Sequence, residues 1–104
     1  MFTLTMTGTI LDGKADDFAS VAKQAMAATP EGADGCLAYR IHVAPDRAGF
    51  LLYEQWADDE SVNRHLAVLF DVLGPANEGG FLPGVWDDCV SGIAADVWIA
   101  VEGS

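Results

Sequence analysis

The 104-residue sequence predicts one small soluble α+β domain, residues 1–104, in which two helices cover one face of an antiparallel sheet in the order β-α-β-β-α-β. Three observations predict it. Residues 2–10 alternate with a period of two, Phe2, Leu4, Met6 and Ile10 on one side and Thr3, Thr5, Thr7 and Thr9 on the other, a pattern made by a half-buried strand. The segment Tyr53–Leu66, YEQWADDESVNRHL, runs from a strand through acidic caps into an amphipathic helix. Between two strand-like runs, Ala44–Gly49 (APDRAG) has the Pro, Asp and Gly of a hairpin turn. Two βαβ halves joined by a hairpin make the ferredoxin-like sandwich.

After the first strand, Asp12-Gly13 makes a turn, and a helix follows from about Lys14 to Ala28 with Phe18, Val21, Ala22, Ala25 and Ala28 as its apolar stripe. It ends before Thr29-Pro30, because the residue preceding proline disfavours the helical region. Pro30–Gly35 is a loop. The second strand, Cys36–Val43, is expected to place Leu37, Tyr39, Ile41 and Val43 on one face and Arg40 and His42 on the other. The third, Phe50–Trp56, starts apolar on both faces, as a central strand does. Asp58 and Asp59 offer N-caps to the second helix, whose stripe is Val62, Leu66, Leu69, Phe70 and Leu73. Gly74-Pro75 stops it. Ala76–Asp88 is expected as a long loop carrying Phe81, Leu82, Val85 and Trp86, and loops of that length in compact domains serve function or pack their own side chains. The last strand, about Val90–Val101, puts Ile93, Ala95, Val97, Ile99 and Val101 on one face and Asp96 and Trp98 on the other.

The helices leave one sheet face bare, with its Thr row, Arg40, His42, Tyr53 and Trp98. That mixture is too apolar in places to leave in water, so a homodimer pairing these faces is expected. The net charge of −11 argues against nucleic acid and anionic membranes as partners, since both need a basic footprint. No apolar run approaches bilayer length, and MFTLTMTGTI lacks the basic start and continuous apolar stretch of a signal peptide, so a cytoplasmic location is the default. Cys36 and Cys89 lack metal-ligand spacing and are expected as free thiols. The sequence holds no P-loop, dinucleotide fingerprint, HExxH or CxxC.

GCLAYRIH, followed by LLYEQWADDESVNRHL, resembles the antibiotic biosynthesis monooxygenase family. The matching features are Gly-Cys-Leu opening strand two, Tyr39, His42, the Tyr-Glu-x-Trp that ends strand three, and the His-Leu pair nine residues beyond Trp56. The motif occupies Gly35–Leu66, and the element order matches over nearly the whole chain. The resemblance implies a dimeric α/β barrel with a pocket between sheet and helices in each subunit. It also implies a monooxygenase, with no flavin, haem or metal as cofactor, acting on a small aromatic such as a quinol, a phenol or a polyketide-like ring. Such a substrate is its own reductant towards molecular oxygen, and the protein has only to bind it, promote loss of a proton and exclude water.

On strand three, Glu54 and Trp56 share a face with Phe50 and Leu52. If that face meets the helices, Trp56 is either a core aromatic or a wall on which a flat substrate stacks. Glu54 there needs a partner, a backbone group or an Arg, or it contacts the substrate. His65, on the flank of the helix stripe, is either a boundary residue bonding a loop or the base of the reaction. The expected substrate-binding set is Trp56, Glu54, Leu52 and Tyr39, with Phe81 and Trp86 on a closing segment. His42, beside Arg40, is expected at the dimer face. Leu52 and Val62 stand where the family's aromatic-polyketide oxygenases carry an amide and a Tyr, and no Lys or Arg follows Arg64, so the pocket should be apolar. The first-strand Asn and the second-helix His of haem-degrading relatives have no counterpart here. A non-oxidative isomerase or cyclase on the same scaffold, and a binding or assembly domain without chemistry, are the alternatives.

Overall fold

The computed structural model describes residues 1–101; the end of the expected domain, residues 102–104, lies outside the described residues. Its elements are β1 (Phe2–Ile10), α1 (Ala15–Ala27), β2 (Cys36–Val43), β3 (Gly49–Trp56), α2 (Asp59–Leu73), a short α3 (Gly84–Asp87) and β4 (Val90–Trp98). The four strands form one antiparallel sheet in the order β2-β3-β1-β4, the ferredoxin-like topology. No helix among the described residues is long and apolar enough to cross a membrane.

The Thr alternation of β1 fixes which side is in. Met6 lies between Leu52 of β3 and Ala95 of β4, and Leu4 between Glu54 and Val97, all on the helix side. On the other side Thr5 stands between Tyr53 and Asp96, Tyr53 pairs with Arg40, and the exposed Trp98 donates its indole N–H to Thr5 Oγ1 at 2.8 Å. No element covers that face among the described residues. The helix side holds the core. Phe18 of α1, Phe50 of β3 and Trp86 of α3 meet with ring centroids 5.0, 5.1 and 5.6 Å apart, and such aromatic clusters bury much apolar area for few residues.

The helix boundaries follow the expected chemistry. α1 turns Phe18, Val21, Ala22 and Ala25 inward, with Lys14 and Ala28 as its flanking residues. The N-cap of α2 is Asp58, in an extended conformation; its carboxylate accepts the Ser61 N–H at 2.9 Å and the Ser61 hydroxyl at 2.6 Å, satisfying one of the free amides of the first turn. Asp59 and Glu60 follow in that turn, favourable to the helix dipole. Gly74 ends the helix with φ +96°, a conformation glycine adopts without steric penalty.

Three expectations are corrected. In β2, an irregularity between Cys36 and Ala38 inserts a residue against β3. A bulge of this kind resets the inside–outside alternation, so Cys36, Ala38 and Tyr39 are buried and Leu37 is 44% exposed. The stretch 76–88 is not a plain loop. It is closed on itself by the Ala76–Pro83 bridge, by Gly84 N–H donating to Pro75 O at 2.9 Å and by Asn77 Nδ2 donating to Asp88 Oδ1 at 2.9 Å, and it carries α3. The last strand ends at Trp98, short of Val101. Being an edge strand it lies largely outside the cover of the helices, so Val97, on the helix side, is 65% exposed.

Gly35 joins the sheet to α2. Its φ of +81° is left-handed, a Cβ there would run into the Ser61 side chain, and its carbonyl accepts the Ala57 N–H at 2.9 Å. Gly35→Ala is therefore expected to destabilise by at least about 1 kcal/mol, ~4–8 °C in Tm for a domain of this size. Thermal unfolding followed by circular dichroism checks it, and an unchanged Tm would show that Ser61 gives way freely.

Candidate functional site

The alternation of β3 sends Phe50, Leu52, Glu54 and Trp56 to the helix side, all of them buried. Opposite them, the inward line of α2 is Ser61, His65 and Leu69. His65 thus lies in the middle of the buried face, 8% exposed, and not on its flank as the apolar stripe had indicated. Helical spacing of four residues put these three side chains on one line.

Glu54 and His65 face each other across this interface. Glu54 Oε1 accepts the indole N–H of Trp56 at 2.9 Å and lies 3.8 Å from His65 Nε2. The imidazole is held between Tyr39 and Trp56, each ring centroid 4.8 Å away. Its Nδ1 lies 3.3 Å from Thr29 Oγ1. That hydroxyl donates its own hydrogen to Ala25 O at 2.8 Å, so it can only accept from the ring. The proton of the neutral imidazole therefore sits on Nδ1, and Nε2 turns its lone pair towards Glu54.

Burial drives both groups towards neutrality. It pushes the Glu54 carboxyl up from 4.5 to about 7, against a smaller lowering by the Trp56 N–H, and pulls His65 down from 6.5 to about 4. Burial also raises the Tyr39 hydroxyl far above the usual tyrosine range. In the folded protein the Glu54–His65 pair accordingly keeps one proton, on the carboxyl, up to about pH 7.

Two cavities adjoin this pair. The first, about 200 Å³, lies between sheet and helices; it is bordered by Tyr39, Leu52, Glu54, His65, Phe81 and Trp86 and otherwise by apolar side chains alone, most of them Leu. Six of the seven residues predicted for the site therefore meet in one place. Phe81 stands at the rim, 71% exposed, whereas Trp86 is buried. The seventh, Trp56, is set apart: it borders a second cavity of about 220 Å³ behind His65, with Thr29, Cys36, Ser61, Arg64 and Val68 among its neighbours. Its contact with the first cavity is indirect, through the hydrogen bond to Glu54. His65 borders both. His42 is exposed on the uncovered sheet face, away from both cavities. Among the described residues, no three His, Cys, Asp or Glu side chains gather to hold a metal ion. Cys36 and Cys89 are both buried and free.

Thr29 and the inward Ser61 were not foreseen. Thr29 reads in sequence only as a helix end, and nothing local signals a hydrogen bond to a residue 36 positions away. Ser61 was hidden by its polarity, although its place four residues before His65 could have revealed it.

The arrangement is an antiparallel α+β sandwich with a titratable pair at the wall of a largely apolar cavity. The antibiotic biosynthesis monooxygenase description matches residues 1–67, and the chain belongs to that family. No curated protein matches the sequence. Solved structures share the fold over most of their length. A Pseudomonas aeruginosa protein superposes with a TM-score of 0.73 at 25% identity, covering 96% of this chain and 93% of the other. A candidate antibiotic biosynthesis monooxygenase of Deinococcus radiodurans gives 0.69 at 21% identity, covering 100% and 96%. A third structure, an antibiotic biosynthesis monooxygenase, gives 0.71 at 17% identity, covering 97% and 99%.

The pair has a definite signature in stability. Glu54, with its pKa raised in the folded state, costs stability as pH rises from 4.5 through about 7; His65, with its pKa lowered, costs stability as pH falls from 6.5 through about 4. Between roughly pH 4.5 and 6.5 folded and unfolded pairs each hold one proton, so the two slopes offset each other. Glu54→Gln keeps an acceptor for Trp56 and removes only the first slope. The variant's gain in unfolding free energy over the parent should be small near pH 4.5 and level off above about pH 7 at a value on the order of 1–3 kcal/mol. The variant alone should lose stability steadily as pH falls from 6.5. Melting curves across pH measure both effects, and a pH-independent gain would show that the Glu54 carboxyl titrates normally.

Proposed function

We propose that this protein is a cofactor-independent monooxygenase of a small aromatic substrate, a quinol, a phenol or a polyketide-like ring, bound in the cavity between sheet and helices. The observation that carries the reading is the Glu54–His65 pair at the wall of an otherwise apolar cavity, in a chain of this family. A phenol placed there loses its proton to the Glu54 carboxylate, and His65, uncharged, faces the newly protonated carboxyl with the lone pair of Nε2. A carboxyl held near pH 7 is matched to that task, since general-base catalysis is most effective when pKa lies near the working pH. His65, lowered to about 4, remains neutral throughout and keeps its lone pair available. The electron-rich anion then reduces oxygen. In the naphthol case one oxygen atom enters the ring as a quinone carbonyl and the other leaves as water, and the substrate supplies all four electrons.

Tyr39, Leu52 and Trp86 would flank the ring and the rim residue Phe81 would close over it; Trp56 acts through Glu54. The uncovered face with Thr5, Tyr53 and Trp98 would pair with a second copy, completing a homodimer, and the buried thiols fit a reducing cytoplasm. A non-oxidative isomerase or cyclase is the second reading, because the same acid–base pair serves a proton shift without oxygen.

Oxygen-electrode assays with a panel of quinols and naphthols should show uptake by the folded protein, rising as pH passes through about 7. Glu54→Gln and His65→Ala should each lower kcat on the order of 10²-fold or more while the fold persists. Product formed under strict anaerobiosis would move the assignment to the isomerase or cyclase. No turnover by a folded protein across the panel would leave a binding or assembly domain. Light scattering at micromolar concentration should give twice the chain mass, and a monomer would remove the paired-face arrangement.

A further inference from the structure

Among the described residues, one buried side-chain donor has no acceptor: the indole N–H of Trp86. Trp86 is 4% exposed and borders the apolar cavity beside Leu52, Leu69 and Leu82. It cannot readily swing away to find water. Its ring is wedged edge-on against Phe18 at 60° and Phe50 at 87°, and its backbone is fixed in α3 by the Trp86 N–H to Pro83 O bond of 3.0 Å. A buried donor left unpaired is unfavourable, and a phenylalanine would make the same ring contacts without that penalty. Trp86 packs on Phe50, four residues along β3 from Glu54, roughly 13 Å at the rise of an extended strand. Donor and carboxyl thus belong to residues packed at different points along the β3 side of one cavity.

We infer that the Trp86 indole N–H donates a hydrogen bond to an oxygen of the bound ligand, so that the cavity selects aromatic rings with a carbonyl or phenolate oxygen remote from the group that Glu54 deprotonates. This specificity role rests on the reading of the cavity as the substrate pocket. It narrows the substrate class to rings with oxygen at two separated positions, since hydrocarbon or single-oxygen rings leave either the donor or the base without a partner.

The test uses two unreactive probes of nearly one shape, α-tetralone, which has a carbonyl, and tetralin, which has none. The full chain should bind tetralone about tenfold more tightly than tetralin, the ratio expected of one buried hydrogen bond. In a 15N–1H spectrum of the parent protein, one of the three indole N–H signals, identified by its loss in Trp86→Phe, should move downfield with tetralone and stay in place with tetralin. Trp86→Phe should lose the preference for tetralone over tetralin. Equal affinities, a stationary Trp86 signal or a preference that survives in Trp86→Phe overturns the role of Trp86 and leaves the cavity as a ring-binding site. Failure of both probes to bind the folded parent overturns the cavity reading, and this inference with it. Should Trp86→Phe not fold, the parent's affinity ratio and the response of its indole signals decide the question.

Discussion

A carboxyl group near the end of β3 has to be accommodated inside an apolar interior, and the side chains around Glu54 are arranged by that need. Alternation along the strand puts Trp56 on the same face, where its indole N–H reaches the carboxyl oxygen. Across the gap stands the one inward-facing His of α2. Neither neighbour makes ionisation easy. A single neutral donor offsets only part of the desolvation, and an imidazole that is itself buried resists taking the proton. The result is a carboxyl that holds its proton to about pH 7 and is poised to exchange it.

That arrangement depends on the rotational phase of α2. Successive residues of a helix turn about 100° apart, so a register error of one would swing His65 away from Glu54 and towards solvent. The phase is set at the start of the helix. Asp58 caps Ser61 through both its backbone and its hydroxyl, and Ser61 is lodged against Gly35, which is tied to Ala57 at the start of the connection. Thr29, hydrogen-bonded back onto α1, then fixes the imidazole tautomer. Three peripheral features, a cap, a left-handed glycine and a helix-terminal hydroxyl, thus position a pair that none of them touches directly except Thr29.

The architecture was legible because its signals are local. The Thr alternation of β1, the hairpin at 44–49 and the acidic cap before α2 each depend on neighbours in sequence, and each matches the structure. Where the reading went astray, a non-local event intervened. The exposure of Leu37 follows from a bulge against β3, and a strict period of two cannot anticipate an inserted residue. His65 was placed on the flank because the stripe was drawn through Val62, Leu66 and Leu69. The true inward line, Ser61–His65–Leu69, contains two polar side chains, which hydropathy counts as outside. The residues of the site were named from the strand face and a family motif, whereas their division between two cavities depends on which side of the imidazole each ring lies, and no sequence pattern encodes that.

The replacement of polar positions by Leu52 and Val62 gains a physical meaning here. With few dipoles on its walls, the cavity has little means of stabilising a charged form of Glu54, and its acid–base behaviour follows from that poverty. The same low polarity strengthens any single hydrogen bond made inside it, because a low local dielectric screens the contact little. A pocket of this kind orients a ligand with very few polar contacts, provided that those contacts lie far apart. Here the polar groups on the wall include the carboxyl–imidazole pair and the unpaired indole N–H. Shape would hold the ring, and two separated polar points would decide which of its positions meets the base.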